Sequence, residues 1–103
     1  MMKDSMRSKL LGLCRRLEEI DAMLAAPDAA DDMNRFRALS QARAENEPVT
    51  VKMKAYEKAE NDIAAAEEMA KEDPSFADFA QDEIKAGKAM LEQLEKDLEI
   101  LLL

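Results

Sequence analysis

The stretch Ala42-Arg-Ala-Glu-Asn-Glu-Pro-Val-Thr-Val-Lys-Met-Lys-Ala-Tyr56 decides how many helices this chain contains. Seam positions recur through it at spacings of three and four: Ala42, Asn46, Val49, Met53, Tyr56. That is the repeat of one helix face. Pro48 stands in the middle of it. A proline inside a helix lacks the N–H for its own bond and clashes with the carbonyl four residues back, here Ala44. Two readings follow. One is a single long helix over roughly residues 32 to 71, kinked near Pro48. The other is two helices, with Asn46 as the N-cap of the second and Pro48 in its first turn, where backbone donors are free anyway. The seam extends from Phe36 and Leu39 through the proline to Glu60, Ile63, Glu67 and Ala70 without a phase slip. A loop between independent helices has no reason to keep that register, so the kinked single helix is favoured.

Outward from this stretch, two more segments have helical periodicity. Met6, Leu10, Leu13, Leu17, Ile20 and Leu24 form a heptad-like seam. Pro27 ends it, and "APDAADD", residues 26 to 32, reads as a polar turn in which Asp31 or Asp32 caps the next helix. "EDPSF" opens the last helix, with Asp73 as N-cap and Pro74 at the first position. Its seam is Phe76, Ala80, Ile84, Gly87, Leu91, Leu94, Leu98 and Leu101. Gly87 on that seam costs about 1 kcal/mol relative to alanine. It is either a tolerated small residue or a point of close backbone approach. At about 1.5 Å per residue the middle helix is roughly 60 Å long and its neighbours roughly 30 to 40 Å. Short connections make neighbours antiparallel. The expected fold is all-α: an elongated, coiled-coil-like antiparallel three-helix bundle whose long middle helix is kinked near Pro48.

Composition agrees. Of 103 residues only four are aromatic: Phe36, Tyr56, Phe76 and Phe79. Glycine and proline number two and three. Such a composition belongs to long helices. The net charge is −8, and it is uneven. Residues 1–26 carry five basic against four acidic side chains, the remainder ten against nineteen. An acidic body is poorly suited to phosphate neutralisation. Only the first helix offers a basic cluster, Arg7, Lys9, Arg15 and Arg16, as a candidate contact. Alternatively these side chains solvate a helix face and pair with Glu18 and Glu19.

Catalytic chemistry finds little support. There is no histidine and a single cysteine, Cys14, so neither an internal disulfide nor a Cys–His site is possible. Adjacent carboxylates such as Glu67 and Glu68 read as a solvated face, because catalytic carboxylates need a cleft that shifts their pKa. No Ca-loop spacing or Gly-rich phosphate loop occurs, since the only glycines are Gly12 and Gly87. No enzyme, metal or cofactor is expected. The eight methionines read as helix and core filler. No stretch has the length or apolarity of a signal peptide or membrane span. A reducing, cytoplasmic setting fits the lone cysteine.

Three segments together resemble a known family: "RFRALSQARAE" at residues 35–45, "ENDIAAAEEMAKEDPSFADFAQDEI" at 60–84, and "LEQLEKDLEILLL" at 91–103. They are similar to the N-terminal helical domain of bacterial class-I peptide chain release factors, most closely the type 1 factor that decodes UAA and UAG. The resemblance covers nearly the whole chain and is weakest at residues 1–30 and 46–55. It implies that residues 1–103 are an excised first domain, without the decoding domain and without the Gly-Gly-Gln loop that promotes peptidyl-tRNA hydrolysis. In the family a Pro-x-Thr tripeptide reads the codon. Pro48-Val49-Thr50 has that composition but is flanked by Glu45-Asn46-Glu47 and Val51-Lys52-Met53, which do not match, and it lies within a helical seam. It is read as a helix feature. The implied partners are the ribosome, at the stalk base of its large subunit, and a GTPase release factor. A contrasting reading is a self-standing helical interaction module. The apolar end Ile100, Leu101, Leu102 and Leu103 motivates it and offers a route to self-association.

Overall fold

The computed structural model describes all 103 residues. The protein is all-α, with three helices and no strand. Helix α1 runs Asp4–Ala25, α2 Met33–Glu72 and α3 Ala77–Leu101, the last preceded by a 3-10 turn at Pro74–Phe76. Residues 2–51 form one compact unit, and residues 52–103 with Met1 form a second.

Helix α2 settles the opening question. It is a single helix of 40 residues with Pro48 inside it. The two-helix reading is overturned, and the Asn46 side chain shows why. Instead of capping a new helix it donates from Nδ2 to the carbonyl of Ala42, one turn back, at 2.9 Å. Pro48 and Ala44 are both exposed. The carbonyl that the proline leaves without an N–H therefore sits on the wet side of the helix, where solvent can take the place of the missing donor.

In the first unit, α1 and the front of α2 are joined by the seven residues 26–32. Asp32 ends that turn as a cap: its Oδ1 accepts from the Arg35 N–H at 3.1 Å. The α1 seam is buried at Leu10, Leu17 and Ile20, and α2 contributes Leu39 and Val49. Arg43 of α2 donates to Asp21 of α1 at 2.7 Å and also binds Glu47 one turn along its own helix. These carboxylates, Asp21 foremost, raise the already high pKa of the guanidinium.

In the second unit, the Asp73 carboxylate accepts from the Ser75 N–H at 3.0 Å, and Pro74 takes the first position of the turn. The Asp73 pKa lies below its ordinary value because of that bond. Two relationships fix α3 antiparallel to the rear of α2. Lys52 donates to Asp97 at 3.0 Å, and Gly87 abuts Ile63, so position rises along α2 as it falls along α3. The core of α3 is Ala80, Leu91, Leu94 and Leu98. Burying each leucine is worth roughly 1.5–3 kcal/mol relative to exposure.

The seams differ from expectation at four places. Glu60 and Glu67 were expected on the α2 seam, but Ala59 and Ala66 are the buried residues there, at 3% and 5% exposure. Positions i+3 and i+4 straddle one stripe, so periodicity alone does not choose between them. The alanines win because they leave room for α3 to lie close, and because a carboxylate is costly to bury. Phe76 and Leu101, expected at the ends of the α3 seam, are exposed. Phe76 lies in the 3-10 turn, whose tighter winding takes it off the helical phase. Leu101 is the last residue of α3, where no further turn covers it.

Candidate interaction surfaces

The four basic residues singled out on α1 do not form one patch. Lys9 and Arg16 are seven residues apart, two turns, and share a side of the helix. Both are exposed, but the Arg16 guanidinium is held by Glu19 at 3.2 Å. Arg15 lies about 100° further round, with its guanidinium folded back beside Gly12. Arg7 is half-buried and is not a free cation. Thus Lys9 and Arg16 come together, Arg15 stands apart, and Arg7 is withdrawn.

The arginines are distributed more unevenly than charge as a whole. All six arginines lie between positions 7 and 43. Residues 52–103 contain seven lysines, no arginine and fourteen carboxylates. Arg35 and Arg37, at the start of α2, are as exposed as Arg15 and Arg16. A count of arginine alone, separate from lysine, would have found them. The difference matters because guanidinium forks bind carboxylate and phosphate bidentately, which ammonium does not.

Pro48-Val49-Thr50 is not a presented loop. Val49 and Thr50 are 5% and 4% exposed within α2, and the Thr50 hydroxyl is buried with no hydrogen-bond partner. A reading motif needs its polar atoms outside. The carboxylates do not converge either: no three His, Cys, Asp or Glu side chains gather as a metal would require. Cys14 is half-buried. No helix is long and apolar enough to cross a membrane.

The exposed apolar surface is more informative. At the chain end, Ile100 is 67% exposed and Leu103 fully so. In the second unit Phe79 and Met90 are each 55% exposed, although both belong to α3. Beside Met90 lies a shallow groove of about 130 Å³ between α2 and α3, lined by Ala59, Asp62, Glu83, Ala86, Gly87 and Met90. Its base is Gly87, where a Cβ would lie 2.6 Å from Ile63 Cγ1. The close contact at Gly87 is thus with the Ile63 side chain, while the nearest α2 backbone atom, the Ala59 carbonyl oxygen, is 3.9 Å from that Cβ position. The arrangement has the makings of a docking surface: a small apolar floor, exposed apolar flanks, and carboxylates at the rim.

Among protein families, a model described as the PCRF domain matches residues 13–103. No solved structure matches the chain.

Proposed function

The chain belongs to the PCRF-domain family of peptide chain release factors, and from that premise we propose that it is the non-catalytic helical domain of a bacterial type 1 termination factor. A release-factor role in translation termination follows from the family itself. The full factor would read UAA and UAG on the ribosome and promote peptidyl-tRNA hydrolysis. This domain would orient it at the stalk base of the large subunit and meet the GTPase release factor, in the cytoplasm. The observation that carries the reading is the family match, which runs from Leu13 to Leu103. The type 1 assignment is supported by the resemblance of residues 35–45, 60–84 and 91–103. The non-catalytic role rests on the sequence, in which no Gly-Gly-Gln stretch occurs.

The test is competition. The chain, added in excess to a reconstituted termination reaction, should slow release by a full-length factor and should release no peptide by itself. It should sediment with isolated large subunits and not with small ones. Peptide release by the chain alone, or no association with either subunit, would sink the proposal.

A second reading has its own observation. The exposed Ile100 and Leu103 suit a self-associating helical module. Sedimentation equilibrium separates the two: a mass that rises with concentration, and that Ile100→Lys returns to the monomer value, favours self-association.

A further inference from the structure

Phe79, Glu83, Ala86 and Met90 follow one another on α3 at spacings of four, three and four, which sets them in a single stripe beside the buried seam. Glu83, Ala86 and Met90 of this stripe line the groove, with Ala59 and Asp62 on the α2 side, and the exposed Phe79 lies one turn beyond Glu83. Two of its lining residues are small. Gly87 has no side chain, and Ala59 ends at its Cβ. Two carboxylates stand at its edge. Asp62 is engaged by Lys58 at 2.8 Å, whereas Glu83 is exposed and makes no ion pair.

The dimensions and the charge both restrict what fits. At about 130 Å³ the groove is well below the roughly 300–1,000 Å³ of pockets that enclose small molecules. An open apolar furrow edged by charge is instead the surface on which an amphipathic helix lays its apolar side. Phosphate is disfavoured, because the unit that carries the groove holds fourteen carboxylates against seven lysines and no arginine. The complement is a polypeptide with lysine or arginine beside its apolar stripe.

We propose that this groove docks a basic amphipathic α-helix belonging to a protein of the large ribosomal subunit. The partner's aliphatic side chains lie against Phe79, Ala86 and Met90, and its cations meet Glu83 and Asp62. The inference rests on the ribosomal reading above and adds the face and the chemistry of the contact.

The test uses the intact chain with purified large subunits, measuring affinity by sedimentation. Two variants block the groove at exposed positions, Glu83→Lys and Ala86→Trp. A third, Glu92→Lys, makes the same charge change nine residues on, two and a half turns away and so on the opposite side of α3. Circular dichroism checks that each is helical. The groove variants should bind roughly tenfold more weakly, the loss expected for one well-placed contact, while Glu92→Lys binds as the unaltered chain does. A photoreactive benzoyl-phenylalanine at position 79 should crosslink to a ribosomal protein, and the crosslinked peptide should be basic and helical. Groove variants that bind as well as the unaltered chain would overturn the inference and leave the ribosomal reading standing. So would an equal loss in Glu92→Lys, or a crosslink to ribosomal RNA. Failure of the unaltered chain to bind any subunit would remove the ribosomal reading, and the inference with it.

Discussion

Gly87 of α3 lies so close to Ile63 of α2 that a Cβ on the glycine would sit 2.6 Å from Ile63 Cγ1 and 3.0 Å from its Cδ1. Ala59 opposes the same glycine, with its carbonyl oxygen 3.9 Å from that Cβ position. The missing side chain thus leaves room for Ile63, beside the groove that Glu83 and Asp62 also line.

Gly87→Ala should therefore destabilise the protein, although alanine is the better helix former by about 1 kcal/mol. Overpacking costs roughly 1–3 kcal/mol. A net loss in urea denaturation is the expected outcome, and adding Ile63→Ala should relieve part of it, so that the double variant is more stable than the two single losses would sum to. A simple gain in the single variant would mean that α3 does not lie this close.

Replacing Pro48 with alanine tests the unbroken helix. The substitution restores an N–H for the Ala44 carbonyl and removes the ring clash, at a position where the side chain is exposed. Stability should rise by about 1–3 kcal/mol, seen as a higher thermal midpoint. If the chain divided into two helices here, Pro48 would occupy a favoured first-turn position, and its loss would bring no gain.

Thr50→Val should also stabilise. The Thr50 hydroxyl is buried with no partner, and burying an unpaired polar group costs roughly 1–3 kcal/mol. Valine keeps the branched shape without the hydroxyl. A midpoint shift upward in denaturant, with an unchanged slope, is expected. A fall would show that the hydroxyl has a role that the fold alone does not reveal.

Acid should weaken the second unit before it weakens the helices as such. Asp97 sits below its ordinary pKa because it accepts from Lys52 and then from Gln93, and Asp73 does so because of Ser75. A lowered folded-state pKa means that the unfolded chain binds protons first as pH falls. The stabilisation is therefore complete above the ordinary carboxylate value of about 4 and is lost as pH drops through the lower folded-state values. Urea midpoints taken between neutral pH and strong acid should fall in that range. They should fall less steeply in Asp97→Asn, which begins without the charge. Identical slopes in both proteins would argue against the Lys52–Asp97 bridge in solution.

The chain's local features were legible in its sequence. Leu10, Leu17 and Ile20 repeat at helical spacing and are buried. Asp32 and Asp73 precede their helices and accept the first free N–H groups. The in-phase seam across Pro48 announced one helix, and one helix is found. Each is decided within a few residues, by backbone sterics, by the 3.6-residue repeat and by the free donors at helix ends. What the sequence left open depended on a neighbouring helix. Ala59 and Ala66 rather than Glu60 and Glu67 face inward, since both pairs fit the repeat and only the position of α3 chooses between them. Arg7 separates from Lys9 and Arg16 because a run of basic residues in sequence is spread around a helix in space. The groove at Gly87 is likewise tertiary. A glycine on a seam is ambiguous until a neighbour is seen to fill the space it vacates, and here the Ile63 side chain does so.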